Sequence, residues 1–217
     1  MCHARSAGTE NAVYLVRHGE TAWSVTGQHT GWTDLALTPH GEEQAHGLQL
    51  RLHGLSFRHV ISSPLQRAWK TCTLAGFSTV AALDTDLMEW NYGDYEGLTR
   101  AEIHSLNPGW ELFRDGCPGG ESVAQISGRV DRIASRLGAL EGNVLIFSSG
   151  HLLRVLAARW LGADTRLGRN LMLDPASISV RGYDAAGMDR VVRRWNDGPG
   201  GANNESRIAS FWAVDDE

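Results

Sequence analysis

Hydrophobic residues along this chain follow two rhythms. Val13-Tyr14-Leu15-Val16 and Val144-Leu145-Ile146-Phe147 are unbroken apolar runs, and such runs predict strands of a parallel sheet buried on both faces. Shorter stretches at 57–61 and 79–83 predict two further strands, and 178–181 with 191–195 predict a terminal hairpin around 184–187. Elsewhere the spacing changes to threes and fours. Val123, Ile126, Val130, Ile133, Leu137 and Leu140 form the stripe of an amphipathic helix packed on a core. Thr38 before Pro39 is an N-cap with proline at the first helical position, and Ala45, Leu48 and Leu52 continue that helix until near Gly54. Ser62-Ser63-Pro64 turns the second strand into a helix over 65–74. Thr99 with Glu102 makes a capping box for a short helix that ends before Asn107-Pro108-Gly109. A last helix, 152–161, follows Ser148-Ser149-Gly150-His151.

Segments 24–37, 89–97 and 114–120 are broken by glycines and lack periodicity, which predicts loops. The Gly, Asn and Pro content of 196–206 predicts a mobile tail, with Phe211-Trp212 docking back. The alternation of strands and helices implies one α/β domain over 1–217, with a mostly parallel central sheet flanked by helices on both faces. Residues 1–11 and 197–217 are expected to be poorly ordered or peripheral.

Composition narrows the function. A net charge of −5 over 217 residues lacks the basic footprint of a nucleic-acid binder, so a cluster of arginines would be a local site for a small anion. Residues 1–12 carry no apolar segment of the signal-peptide kind, and no run approaches membrane-spanning length, so a cytoplasmic protein without a membrane partner is expected. Three widely spaced cysteines, Cys2, Cys72 and Cys117, match neither a disulfide framework nor a zinc motif, and Cys72 is expected to pack on its helix.

Chemistry-bearing residues collect where strands are predicted to end. Arg17 and His18 follow the first run, and ligands of open α/β sheets bind beyond the carboxyl ends of their strands. A guanidinium there suits a phosphate or carboxylate. Taken alone, an Arg-His pair at a strand end is equally compatible with surface decoration. Arg67 falls in the first turn of the helix after the second strand, Glu89 opens the aromatic loop, and Ser149-Gly150-His151 forms the corner after Phe147.

The whole set resembles the histidine phosphatase superfamily, the phosphoglycerate mutase-like fold. The likeness covers nearly the whole chain and rests on Leu15-Val16-Arg17-His18-Gly19-Glu20-Thr21, His29-Thr30-Gly31-Trp32-Thr33-Asp34, Ser62-Ser63-Pro64-Leu65-Gln66-Arg67-Ala68, the run from Glu89 to Gly97, and Gly120-Glu121-Ser122. It implies a phosphomonoesterase acting on a small phosphorylated substrate, with no metal or other cofactor. His18 would attack phosphorus and carry the phosphoryl group. Arg17 and Arg67 would surround its oxygens, and Glu89 would protonate the leaving alcohol and later deprotonate water. Ser24, Thr30, Gly31, Gly150 and His151 would be further substrate contacts. Trp23, Trp32, Trp90 and Trp110 would either line the pocket mouth or pack on the core.

The chain departs from the pattern at one point. The family places a second histidine immediately before the glycine of the last corner, and here that residue is Ser149, while His151 corresponds to a different position. Three readings follow: an introduced substitution, a natural change that leaves slow phosphatase activity, or recruitment to binding or other chemistry. A mutase needs a long insertion after the glutamate, and the stretch from Glu89 to Ser149 has no room for one. Hydrolysis, in the small-phosphatase branch that resembles sedoheptulose bisphosphatase-like and broad acid phosphatases, is therefore preferred to phosphoryl transfer between hydroxyls.

Overall fold

A computed structural model describes residues 11–184 and 186–198. Along the chain it forms β1 (Val13–Arg17), α1 (Ala22–Thr26), α2 (Pro39–Arg51), β2 (His59–Ser62), α3 (Gln66–Leu74), β3 (Ala81–Leu83), α4 (Arg100–Leu106), α5 (Leu112–Asp115), α6 (Val123–Gly138), β4 (Val144–Ser148), α7 (Gly150–Trp160), β5 (Ile178–Tyr183) and β6 (Arg190–Asp197). Short 3₁₀ turns lie at Thr85–Leu87, Gly93–Tyr95 and Thr165–Asn170.

The strands make one sheet in the order β3-β2-β4-β1-β5-β6. β1, β2, β3 and β4 run parallel, whereas β5 is antiparallel to β1 and β6 to β5. The apolar runs sit at its centre because they must be covered twice. Val13, Leu15, Val144 and Ile146 pack with Ile126, Val130 and Ile133 of α6 and with Leu152, Val155 and Leu156 of α7. On the opposite face, Val16, Leu145 and Phe147 pack with Leu48 and Leu52 of α2 and Cys72 of α3. Helices therefore cover both faces, as expected from sequence.

Four local expectations change. Part of the 24–37 stretch is helical: Thr21 caps α1 and exchanges hydrogen bonds with Ser24, a capping box closed by serine where glutamate or glutamine is the recognisable signal. α5 interrupts the expected loop at 114–120, its start capped by Glu111, which accepts from the Phe113 N–H. The 3₁₀ turn Thr165–Asn170, its start capped by Asp164, falls where the sequence pattern predicts no element. Asn196 and Asp197 belong to β6 rather than to a tail, because the ladder with β5 continues to the pair Ile178 and Asp197, and the Asn196 N–H donates to Ser179 Oγ at 3.0 Å. Cys2 and the expectations for 199–206 and for Phe211-Trp212 lie outside the described residues. Cys72 is buried on α3 and its thiol is pushed up to about 12 by burial. No helix among the described residues is long and apolar enough to cross a membrane.

Candidate active site

The parallel pair β1 and β4 fixes the site. Arg17 lies opposite Ser148, so His18 and Ser149 leave adjacent strands at neighbouring points. The His18 N–H donates to the Ser148 carbonyl at 3.0 Å, and the His18 carbonyl accepts from the Ala176 N–H at 3.1 Å. The next residue can approach α2 closely only because it lacks a side chain: a Cβ on Gly19 would lie 2.3 Å from the Gly41 carbonyl oxygen. Its N–H donates to Thr71 Oγ1 at 3.0 Å, and that hydroxyl donates to the Arg67 carbonyl at 2.7 Å. The same turn of α3 thus anchors the corner after His18 and carries Arg67.

His18 is buried, and its Nδ1 lies 2.7 Å from the Gly19 carbonyl oxygen. A carbonyl can only accept, so Nδ1 holds the proton and Nε2 keeps its lone pair. Burial, reinforced by the positive charges of Arg67 and Arg17, holds the imidazole well below its usual pKa. It is a neutral base at pH 7.

Arg17 and Arg67 approach this imidazole from different parts of the chain. Arg17 Nη1 donates to the Leu173 carbonyl. Arg67 Nη1 donates to the Thr33 carbonyl at 3.0 Å, and Nη2 to the carbonyls of Thr30 and Gly31 at 3.2 and 2.7 Å. The loop after α1 is thereby tied to α3. Among the described residues, Nε of both arginines is buried without a hydrogen-bond partner, as is Ser149 Oγ. A Cβ on Gly150 would lie 3.3 Å from Arg17 Nε, which places the start of α7 against that guanidinium.

Glu89 is also buried. Its Oε1 accepts from the N–H groups of Trp90 and Leu152 at 2.9 and 2.7 Å, and its Oε2 from the N–H of His151 at 2.9 Å. The Ser149 side chain occupies the N-cap position of α7 without making a cap bond. Glu89 does that work from across the site, satisfying donors that a helix start leaves open. Ser148 Oγ donates to the Leu87 carbonyl at 2.6 Å and holds the preceding segment.

The remaining candidates divide. Ser24 Oγ is engaged by Thr21 as donor and acceptor at 2.9 Å each. Thr30 and Gly31 offer their carbonyls to Arg67, and the Gly31 N–H donates to Glu96 Oε1 at 2.8 Å. His151 Nδ1 bonds the Tyr92 hydroxyl, and burial drives its pKa well below the usual value. Of the four tryptophans, Trp90 and Trp110 are buried, Trp32 is exposed, and Trp23 packs beneath Gly97.

Sequence reasoning missed Arg129. Its guanidinium pairs with Glu121 at 2.8 and 2.6 Å and donates to the carbonyls of Asp86, Met88 and Glu89 at 2.6, 2.6 and 3.2 Å. The signal was present: residue 129 falls three after Ile126 and four before Ile133, a charged group on the apolar stripe.

The description "Histidine phosphatase superfamily (branch 1)" belongs to a family model that matches residues 13–198. An acid phosphatase of Mycobacterium tuberculosis is 41% identical over 174 residues, covering 78% of this chain and 85% of that protein. A sedoheptulose 1,7-bisphosphatase of Saccharomyces cerevisiae is 37% identical over 184 residues, covering 68% of this chain and 66% of that protein. A protein of Erwinia tasmaniensis named probable phosphoglycerate mutase GpmB is 36% identical over 179 residues, covering 77% and 82%. The solved structure of an open reading frame from Mycobacterium tuberculosis superposes with a TM-score of 0.82 at 36% identity, covering 87% of this chain and 98% of that one.

Proposed function

This chain belongs to the histidine phosphatase superfamily, and from that premise we propose that it hydrolyses a small phosphorylated metabolite through a phosphohistidine at His18. The observation that carries the reading is the state of His18, with Nδ1 held by the Gly19 carbonyl, Nε2 left free, and two arginines beside it whose Nε groups are buried and unpartnered. The imidazole Nε2 attacks phosphorus, the phosphorus–oxygen bond to the leaving alcohol breaks, and Glu89 supplies that oxygen's proton. Water then attacks the phosphohistidine, gives its proton to Glu89, and inorganic phosphate leaves. Oε2 accepts one N–H where Oε1 accepts two, so it is the oxygen with capacity to exchange a proton.

Arg17 and Arg67 offset charge on the phosphoryl oxygens, a task that calls for no metal. Gly150 keeps α7 clear of Arg17, and Ser149 offers a hydroxyl where the family has imidazole. Ser24, Thr30, Gly31 and His151 edge the substrate site. A cytoplasmic setting fits such a substrate. Between Glu89 and Ser149 the chain forms the turn Gly93–Tyr95, α4, α5, α6 and β4 with no long insertion, which favours hydrolysis over phosphoryl transfer between hydroxyls.

The test is phosphate release from 4-nitrophenyl phosphate together with rapid acid-free quenching and peptide mapping. Release with base-stable, acid-labile phosphate on His18 is expected. Phosphate moved between hydroxyls without release would establish a mutase, and turnover without label on His18 would remove it as nucleophile. The unpartnered Ser149 hydroxyl favours one second reading, a phosphometabolite-binding protein with little or no turnover, which would show as tight binding of substrate without release.

A further inference from the structure

The backbone that carries Arg17 and His18 is tied to a segment far along the chain, 173–177. The Leu173 carbonyl accepts from Arg17 Nη1. The Ser177 carbonyl accepts from the Arg17 N–H at 3.2 Å, and the Ala176 N–H donates to the His18 carbonyl at 3.1 Å. One short stretch therefore aims the Arg17 guanidinium and brackets the Arg17–His18 pair at both of its backbone ends.

That stretch is itself gripped from two sides. On one side the Asp174 N–H donates to Asn196 Oδ1 at 2.6 Å, and Asn196 Nδ2 donates to Asp174 Oδ2 at 2.8 Å. On the other, Arg51 at the end of α2 donates from Nη1 to the Ala176 carbonyl at 3.0 Å and from Nη2 to the Asp197 carbonyl at 2.5 Å, and it pairs with the Asp197 carboxylate at 3.2 Å. Trp195 Nε1 adds a bond to the Met172 carbonyl at 2.6 Å. Three consecutive residues at the end of β6 thus bear on the segment. The sheet does not require this, because the β5–β6 ladder already joins the two strands through backbone pairs.

Strain marks the same place. Among the described residues only two non-glycines have positive φ, Ala176 at 52° and Asn196 at 54°. Asparagine tolerates that conformation better than alanine does, and such residues persist where their surroundings impose them, often at functional sites. Ala176 is fully buried. Its N–H is bonded to His18 and its carbonyl to Arg51, so the strained residue passes the hold of α2 directly to the nucleophile's backbone.

We propose that Asn196, together with Asp174 and Arg51, is a positioning residue: the end of β6 clamps segment 173–177 so that the Leu173 carbonyl aims Arg17 at the phosphoryl group and the Ala176 N–H fixes His18. This rests on the hydrolase reading above, which gives Arg17 and His18 their roles.

The experiment inverts the clamp. Asn196→Asp sets two carboxylates against each other, and the double variant Asp174→Asn, Asn196→Asp restores both hydrogen bonds across the pair. Asn196→Gly removes the clamp while easing the backbone, since glycine accepts positive φ. In both single variants kcat/KM for 4-nitrophenyl phosphate should fall by at least about tenfold, as expected when a catalytic group loses its alignment. In the double variant it should return to within about threefold of wild type. Asn196→Gly should keep the wild-type urea midpoint. If Asn196 served stability alone, that midpoint would fall while kcat/KM without urea stayed at the wild-type value, which overturns the proposal. A loss that the double variant does not recover overturns it as well. Calorimetric binding of inorganic phosphate separates the two claims. Weaker phosphate binding in both single variants, recovered in the double variant, with no phosphate release by wild type supports the clamp and removes the hydrolase reading. Release by wild type with phosphate binding and kcat/KM unchanged in both single variants removes the clamp alone.

Discussion

The Glu89 carboxylate accepts the backbone N–H of Leu152 at 2.7 Å, so the proposed proton carrier and the first turn of α7 hold each other in place. Position and chemistry can be separated at this residue. Glu89→Gln keeps an acceptor for the helix but cannot cycle a proton. Its kcat/KM for alkyl phosphates, which reports phosphorylation of His18, should fall by about 10²- to 10⁴-fold, with a much smaller loss of kcat/KM for 4-nitrophenyl phosphate, whose leaving group needs no acid. Glu89→Ala should additionally lower stability by about 1 kcal/mol through loss of the cap. Equal losses on both substrates would make Glu89 a structural residue only.

Three histidines, His18, His29 and His151, have pKa values drawn down by burial. Each folded value lies below the unfolded one, so in acid the unfolded chain takes up protons that the folded protein refuses. The contribution of these three groups should be flat above pH 7 and fall as pH drops through about 6.5 toward the folded values, by up to about 1.4 kcal/mol per pH unit for each group. Urea unfolding at pH 7.5, 6.0 and 5.0 measures this. His18→Asn should shallow the slope, and an unchanged slope would mean that His18 is accessible to protons in the folded state.

Ser149→His puts an imidazole where the proposed reading expects the family's second one. One preorganised donor is worth on the order of 10²- to 10³-fold in such sites, so hydrolysis of 4-nitrophenyl phosphate should rise by at least about tenfold. An unchanged rate in a variant that unfolds at the wild-type urea midpoint would show that residue 149 does not face the reacting phosphoryl group.

Arg129→Met removes the clamp behind Glu89. It strands the Glu121 carboxylate and frees three carbonyls, and breaking such a buried pair costs about 3–5 kcal/mol. Arg129→Lys should recover part of the stability but not the geometry. Its kcat should therefore stay depressed while KM changes little, and full recovery of kcat would show that only the charge at 129 matters.

The parts of this protein that could be read from its amino acids are those where local pattern and long-range packing agree. The run ending in Arg17 and the run ending in Phe147 are apolar throughout because both strands are covered on both faces, and that pattern survives in one dimension. The stripe of α6 is visible for the same reason. What escaped is set by partners distant in sequence. Ser24 closes a helix that its neighbours do not announce, and the cap of α7 comes from Glu89 rather than from the adjacent serine. Nothing in the order of residues says that Arg100, Arg114, Arg154 and Arg169 line one cavity, as they do. Arg129 was readable in hindsight, since a guanidinium on an apolar stripe must find acceptors inside.

The neighbours of β1 in the sheet are β4 and β5, both encoded far downstream of it. On the ribosome the segment bearing His18 emerges well before either neighbour and stays unpaired until both have been synthesised. Pairing across so long a separation is entropically slow. A nascent or truncated protein lacking the later strands would therefore be inert, and its bare apolar leading strand would be a natural target for chaperones.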